Sequence, residues 1–319
     1  MLMPWLLSGL GLVILLFAGD ALVKGAVNLS LRLGVPALIV SLTIVAFGTS
    51  APELLISVKA ILDGVPGLAL GNVVGSNTAN ILMVLGIPAL LATMHTSECS
   101  TRKTYNQMIA ASLLFIALAF RGVFDWIAGL ILLAGLVYML YDAFRDAKDH
   151  RHACRSGAAE EEEEPEGADP DMAGWQIAMF LILGLIGLPL GASLLVDNAT
   201  IIAQTYGVSD TVIGLTLVAV GTSLPELATT VMAALRRQAD VALGNVIGSN
   251  MFNLLAIIGI ASLVGPISVD EAFLRIDLWV MLGASFLLIP FVYLGRDITR
   301  LWGVVLSALY GLYLFIILI

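Results

Sequence analysis

The sequence predicts an all-α polytopic membrane protein of ten transmembrane helices, arranged as a 5+5 inverted-topology repeat with helices 2 and 7 broken. Three observations carry this expectation. Apolar residues make up 59% of the 319 positions and charged residues only 12%, about half the charged share of a soluble domain. Apolar runs recur along the chain, each near the roughly 20 residues that cross a bilayer core. The second half also repeats the first at an offset of 173 residues.

Ten candidate spans lie near 5–27, 35–61, 68–93, 106–120, 123–142, 175–203, 211–235, 241–264, 276–294 and 301–319. The opening stretch MLMPWLLSGLGLVILLF has no basic n-region and no small-residue cleavage site, so it is expected to be the first span and not a removed leader. Residues 143–174 are polar, charged and without period, which predicts a disordered linker. The chain therefore divides into a first repeat (1–142), an acidic linker (143–174) and a second repeat (175–319). Glu160 to Glu164 and Glu166 supply much of the formal net charge of −9. That run lacks the ligand spacing of a calcium-binding loop, and the acidity it creates points to no nucleic-acid partner. Cys99 and Cys154 form neither a disulfide framework nor a zinc spacing. His95, His150 and His152 fall in connections and are expected to be solvated.

Lysine and arginine positions set the orientation, because cytoplasmic loops carry the excess of positive charge. With both termini outside, 12 of the 15 basic residues fall in cytoplasmic connections. Lys59, Arg121 and Arg275 remain outside. The linker is then cytoplasmic.

Residues 41–90 and 214–263 align without a gap and are identical at 26 of 50 positions. The identities include Gly, Thr, Ser, Pro, Glu and Asn, so a shared apolar bias does not explain them. The unit is five helices, an odd number, and the second copy must enter the membrane the other way up. Inverted repeats of this kind are a feature of secondary transporters, whose sites lie at mid-membrane where the copies meet.

Each copy carries G-T-S-x-P-E inside an apolar run, at Gly48–Glu53 and Gly221–Glu226. Pro52 and Pro225 have no N–H to donate, so the carbonyls of Gly48 and Gly221 should be freed. Such broken backbone is tolerated at membrane depth where it lines a cavity. A carboxylate at mid-membrane costs at least ~2.5 kcal/mol and marks a functional site by default; Glu53 and Glu226 are two, at equivalent places. At helical spacing, Ala46, Thr49/Ser50, Glu53 and Ser57 share one face, as do Ala219, Thr222/Ser223, Glu226 and Thr230. The next helix of each copy carries G-N-x-x-G-S-N-x-x-N. In it Asn72, Ser76 and Asn80, and likewise Asn245, Ser249 and Asn253, fall at steps of four. Gly71 and Gly75, with Gly244 and Gly248, are small-xxx-small pairs expected to serve close helix packing. Taken one at a time, the hydroxyl and amide residues could merely join helices; the paired intramembrane glutamates beside mid-helix prolines require more. The assembled donors are all oxygen, which suits hard cations such as calcium and sodium.

These paired motifs resemble the α-repeats of the cation/calcium antiporter superfamily, its prokaryotic sodium/calcium exchanger group in particular. The resemblance covers nearly the whole chain. It implies alternating access in which helices 1 and 6 slide across a core of eight. It also implies a calcium site from the carboxylates of Glu53 and Glu226 and the carbonyls of Thr49 and Thr222. Sodium sites would use Ala46, Ser50 and Ser76 on one side and Ala219, Ser223 and Ser249 on the other, with Asn80 and Asn253 completing the centre. Calcium and sodium are then transported ions; no organic cofactor and no partner beyond the ions and the lipid bilayer is implied, and one chain in a prokaryotic plasma (inner) membrane is expected to suffice. Many exchangers have aspartate where this chain has Asn253, which bears on the coupling ion more than on calcium. A proton/calcium antiporter is therefore the alternative. An intramembrane hydrolase fits the hydroxyl and amide surroundings less well, and a passive channel would show net conductance; the chain is expected not to be an enzyme.

Overall fold

The structure, a computed structural model, describes residues 2–155, 168–207 and 219–318. Helices dominate it in the order α1 (Leu2–Leu33), α2 (Ala37–Thr49), α3 (Ala51–Leu62), α4 (Pro66–Leu91), α5 (Arg102–Ala119) and α6 (Trp126–Arg155) in the first half. The second half continues with α7 (Gly174–Thr205), α8 (Ala219–Thr222), α9 (Leu224–Leu235), α10 (Ala239–Val264), α11 (Phe273–Tyr293) and α12 (Arg300–Leu318). By length and composition six of these can cross a membrane, namely α1, α4, α6, α7, α10 and α11, and the bent pair α2–α3 makes a seventh. The span expected at 211–235 is described only from residue 219, and the run Glu160–Glu166 lies outside the described residues.

Burial sorts the helices into layers. The spanning windows of α4 and α10 are 83% and 89% buried, against 33%, 28% and 22% for α1, α6 and α7. Sequence explains the difference. The central pair carries the Gly, Ser and Asn of the repeated motif, small and polar groups that a lipid face could not satisfy. The outer helices expose Phe17, Leu55, Val137, Tyr138, Leu190 and Phe315, apolar surface that suits lipid.

The helices α1 and α7 pack antiparallel along their length. Gly11 meets Gly191 and Leu195, Leu22 meets Gly184, and Leu181 meets Gly25. A Cβ on Gly11 would stand 2.9 Å from the Gly191 carbonyl, and one on Gly191 3.0 Å from the Gly11 carbonyl. Only glycine permits that approach, the logic of small residues at membrane helix interfaces. In contrast α2 and α10 run parallel: Ser41 Oγ donates to the Val241 carbonyl at 2.6 Å and Thr49 Oγ1 to Asn245 Oδ1 at 3.2 Å. Two buried clusters result. The larger spans α4, α5, α6, α10, α11 and α12. The smaller joins α1 and α7 to α2 and α9 through Leu15, Leu22, Val45, Leu188 and Ala228.

Connections pair across the halves. The short strands β1 (Val123–Phe124) and β2 (Ile267–Ser268) are antiparallel, and Met94 bridges Ile298. Asp297 holds the 95–97 loop through His95 Nδ1 at 3.1 Å and Ser97 Oγ at 2.6 Å.

One expectation needs correction. Residues 143–155 begin the stretch expected to be a disordered linker, yet they continue α6 as helix to Arg155. Absence of an apolar period hid two local supports. Lys103 of α5 binds Asp142 at 2.7 Å and Asp146 at 2.6 Å, and Arg145 pairs with Asp149 one turn on, a spacing that favours helix.

Candidate cation site

The motif G-T-S-x-P-E breaks each helix at its serine, two residues before the proline. α2 ends at Thr49, Ser50 leaves the helical region (φ −84°, ψ 3°), and α3 starts at Ala51 after a 43° bend. Ser223 does the same between α8 and α9 (φ −88°, ψ 6°). Pro52 and Pro225 thus sit in the first turn of the second segment, where a missing N–H leaves no helical bond unmade. Glu53 and Glu226 follow in that same first turn, where unpaired N–H groups and the helix dipole favour negative charge. The break therefore aims the end of one segment and the start of the next at the same point. Gly48 and Gly221 make room for α7: a Cβ there would lie 2.0 Å from Leu185 Cδ2 and 2.6 Å from Val196 Cγ2.

Glu53 and Glu226 are 1% and 0% exposed. Ser50 Oγ of the first copy donates to Glu226 Oε1 of the second at 3.2 Å, and the hydroxyls of Thr49 and Ser249 also face that carboxylate. Thr49 and Ser249 hydroxyl oxygens are 3.4 Å apart. Asn72 Nδ2 donates to Ser57 Oγ at 3.2 Å and to the Glu53 carbonyl at 3.4 Å; Asn245 Nδ2 makes the same two bonds, at the same lengths, to Thr230 Oγ1 and the Glu226 carbonyl. The Ala46 carbonyl is engaged by Ser50 N–H at 3.0 Å and Thr49 Oγ1 at 3.3 Å.

Glu53 Oε2, Glu226 Oε2, Asn80 Oδ1, Asn253 Oδ1 and Ser223 Oγ are all buried without a hydrogen-bond partner. Buried polar atoms are normally paired, and four of these five are pure acceptors, the oxygens of two carboxylates and two amides. A hard cation satisfies such a set where no protein donor does. No group of three or more His, Cys, Asp or Glu able to hold a metal occurs among the described residues; the candidate ligands are two carboxyl groups and otherwise neutral oxygens.

The remaining expected residues divide as follows. Ser76, Thr222 and Ser223 are buried on the motif helices, and Ala219 opens α8. The glycine expectation holds for Gly244 and Gly248, which abut Leu38, Ser41, Leu42 and Ala46 of α2; the segment that the repeat sets against Gly71 and Gly75 lies mostly outside the described residues. Two residues escaped the reading by steps of four. Asn77 and Asn250 cross between the central helices, each donating to the other's backbone carbonyl. Their identical place in the two motif copies was the available signal.

Comparison with known proteins places this arrangement. Residues 3–145 and 176–319 match the family described as sodium/calcium exchanger protein. The sodium/calcium exchanger MaX1 of Methanosarcina acetivorans is 34% identical over 343 aligned positions, covering 97% of this chain and 96% of that one. The inner membrane protein YrbG of Escherichia coli is 34% identical, covering 90% and 88%. A structure of the sodium-calcium exchanger NCX_Mj, soaked with sodium and strontium, superposes with a TM-score of 0.81 at 31% identity over 97% of both chains. The chain is an integral membrane protein of the sodium/calcium exchanger family, a cation/calcium antiporter.

Proposed function

We propose that the chain exchanges sodium for calcium by alternating access, with both cations bound at mid-membrane between the two glutamate-bearing repeats. The observation that carries this is the pair of fully buried carboxylates, each in the first turn after a helix break and each with one oxygen lacking a donor. Two negative charges are neutralised by one calcium or by two sodium ions, so the two loads compete for one set of oxygens. Calcium takes Glu53 and Glu226 with the Thr49 and Thr222 carbonyls. Sodium takes Ala46, Ser50 and Ser76, and Ala219, Ser223 and Ser249, with Asn80 and Asn253 at the centre.

Ten spans in two inverted sets of five, 1–142 and 175–319 about a cytoplasmic linker (143–174), are the architecture we infer. The antiparallel register of α1 against α7 supports the inversion. Support for the alternation of the spans comes from the loops: β1 meets β2, Met94 meets Ile298, and Arg32 meets the Met172 carbonyl, in each case joining connections assigned to one side. The close packing of α1 on α7 supports reading them as the pair that slides. The name of the Escherichia coli relative supports a prokaryotic inner membrane, and the name of the Methanosarcina relative supports sodium as the counter-ion. One chain holds the whole site.

Labelled calcium flux in proteoliposomes under imposed sodium, potassium or proton gradients tests the reading. Calcium uptake should follow the sodium gradient. Uptake that ignores sodium and tracks pH would sink it in favour of proton exchange.

A further inference from the structure

We propose that Asn77 and Asn250 are positioning residues that turn the amide oxygens of Asn253 and Asn80 toward the cation. This rests on the cation-exchange reading above. The inference follows from donor and acceptor bookkeeping in a buried ring of four asparagines.

Asn77 Nδ2 donates to the Asn250 backbone carbonyl at 3.1 Å, and Asn250 Nδ2 to the Asn77 carbonyl at 3.4 Å. A backbone carbonyl can only accept. The second hydrogen of each amide points at a thioether, Met281 Sδ for Asn77 and Met108 Sδ for Asn250, both at 3.8 Å. Sulfur there is also only an acceptor. Both amides are thereby fixed with nitrogen toward carbonyl and sulfur, and their Oδ1 atoms must face the other way. The two methionines are themselves related by the 173-residue offset, so each copy supplies one complete clamp.

The fixed oxygens then set the next pair. Asn253 Nδ2 donates to Asn77 Oδ1 at 3.0 Å, and Asn80 Nδ2 to Asn250 Oδ1 at 3.0 Å. A flipped amide at 80 or 253 would bring oxygen against oxygen. Asn80 and Asn253 therefore turn their own Oδ1 atoms the other way, and those atoms are buried with no protein donor. Four amides that could each rotate freely in water are locked into one arrangement, and its outcome is two carbonyl oxygens presented without a partner. The ring crosses the two repeats, so neither copy can orient its own ligand.

A double-mutant cycle separates orientation from general packing. An aspartate at 253 has no N–H to give Asn77 Oδ1 and presents an oxygen in either orientation, so the orienting bond is already gone and N77L can only remove an oxygen–oxygen contact. Calcium uptake by reconstituted wild type, N77L, N253D and N77L/N253D is measured as calcium KM and maximal rate. N77L should raise the calcium KM about tenfold, the scale of one buried hydrogen bond to an ion ligand, with the maximal rate within about twofold. In the N253D background the same substitution should not raise KM by more than about twofold. Should N77L fold poorly, the symmetric cycle of N250L with N80D carries the same test. An unchanged KM in N77L, or equal shifts in both backgrounds, overturns the positioning role while wild-type transport leaves the exchange reading standing. A wild-type chain that moves no calcium overturns both.

Discussion

Replacing Glu226 by glutamine is the sharpest test of the site, because the change keeps shape and removes charge. Glu226 is fully buried, accepts from Ser50 through Oε1, and leaves Oε2 without a donor. Glutamine can keep the Ser50 bond through its carbonyl oxygen. Its NH2 then stands where Oε2 stood and points two hydrogens at the place a cation needs an oxygen. A unit-charge pair about 4 Å apart is worth about 4 kcal/mol at an effective dielectric of about 20, and a divalent ion doubles that. If half of it is recovered by relaxation and water, about 4 kcal/mol is lost, roughly a thousandfold in affinity. Calcium uptake into proteoliposomes under a sodium gradient should fall to background at calcium levels that saturate wild type. The purified variant should remain monodisperse, since the packing is unchanged. Uptake with half-saturation within about tenfold of wild type would refute the placement of the ion. Glu53→Gln should behave alike, because the two carboxylates occupy equivalent turns.

Further outcomes follow from other parts of the fold. Asn253→Asp should alter the sodium or pH dependence of exchange more than the calcium affinity, read from flux at stepped sodium and pH, because it adds a third charge to a centre already able to neutralise calcium. Gly248→Ala should lower stability by about 1–3 kcal/mol as overpacking, seen as a reduced melting temperature in detergent, since its Cβ would stand 2.5 Å from the Leu42 carbonyl and 2.6 Å from Ala46 Cβ. Asp125 caps the start of α6 by accepting from Ala128 N–H at 2.9 Å, and that bond together with Arg121 holds its carboxyl below the usual value. Its contribution is present above the ordinary carboxylate range and is lost as pH falls through the depressed value. Protection of the first-turn amides of α6, taken relative to their intrinsic exchange at each pH, should fall on acidification, and Asp125→Asn should abolish that fall.

The four asparagines mark the boundary of what periodicity could reveal. Asn72, Ser76 and Asn80 were legible because steps of four follow one helix face toward the neighbouring broken helix, and the structure pairs Asn72 with Ser57. Asn77 lies off that face. It meets Asn250 of the other copy, and the crossing of two central helices is a relation across 173 residues that no local period encodes. The prolines show the same limit at short range. A missing N–H was expected to free a carbonyl within a kinked helix, but the helix stops at Ser50 and restarts with Pro52 in its first turn. The α6 extension to Arg155 was hidden too, because ion pairs with α5, not an apolar stripe, help hold it.

By itself the sequence determined the solvent, the repeat and the chemistry of the ligands. Composition and run length answer to the bilayer, and two intramembrane glutamates beside two prolines require a partner of opposite charge wherever they end up. Tertiary structure alone decided how the copies meet. The antiparallel α1–α7 pair, the parallel contact of α2 with α10 and the Ser50–Glu226 bond between copies depend on backbone approaches set by glycines on separate helices. So does the handedness of the amide ring, because an amide's direction is chosen by whichever group faces it, and here that group belongs to the other half of the chain.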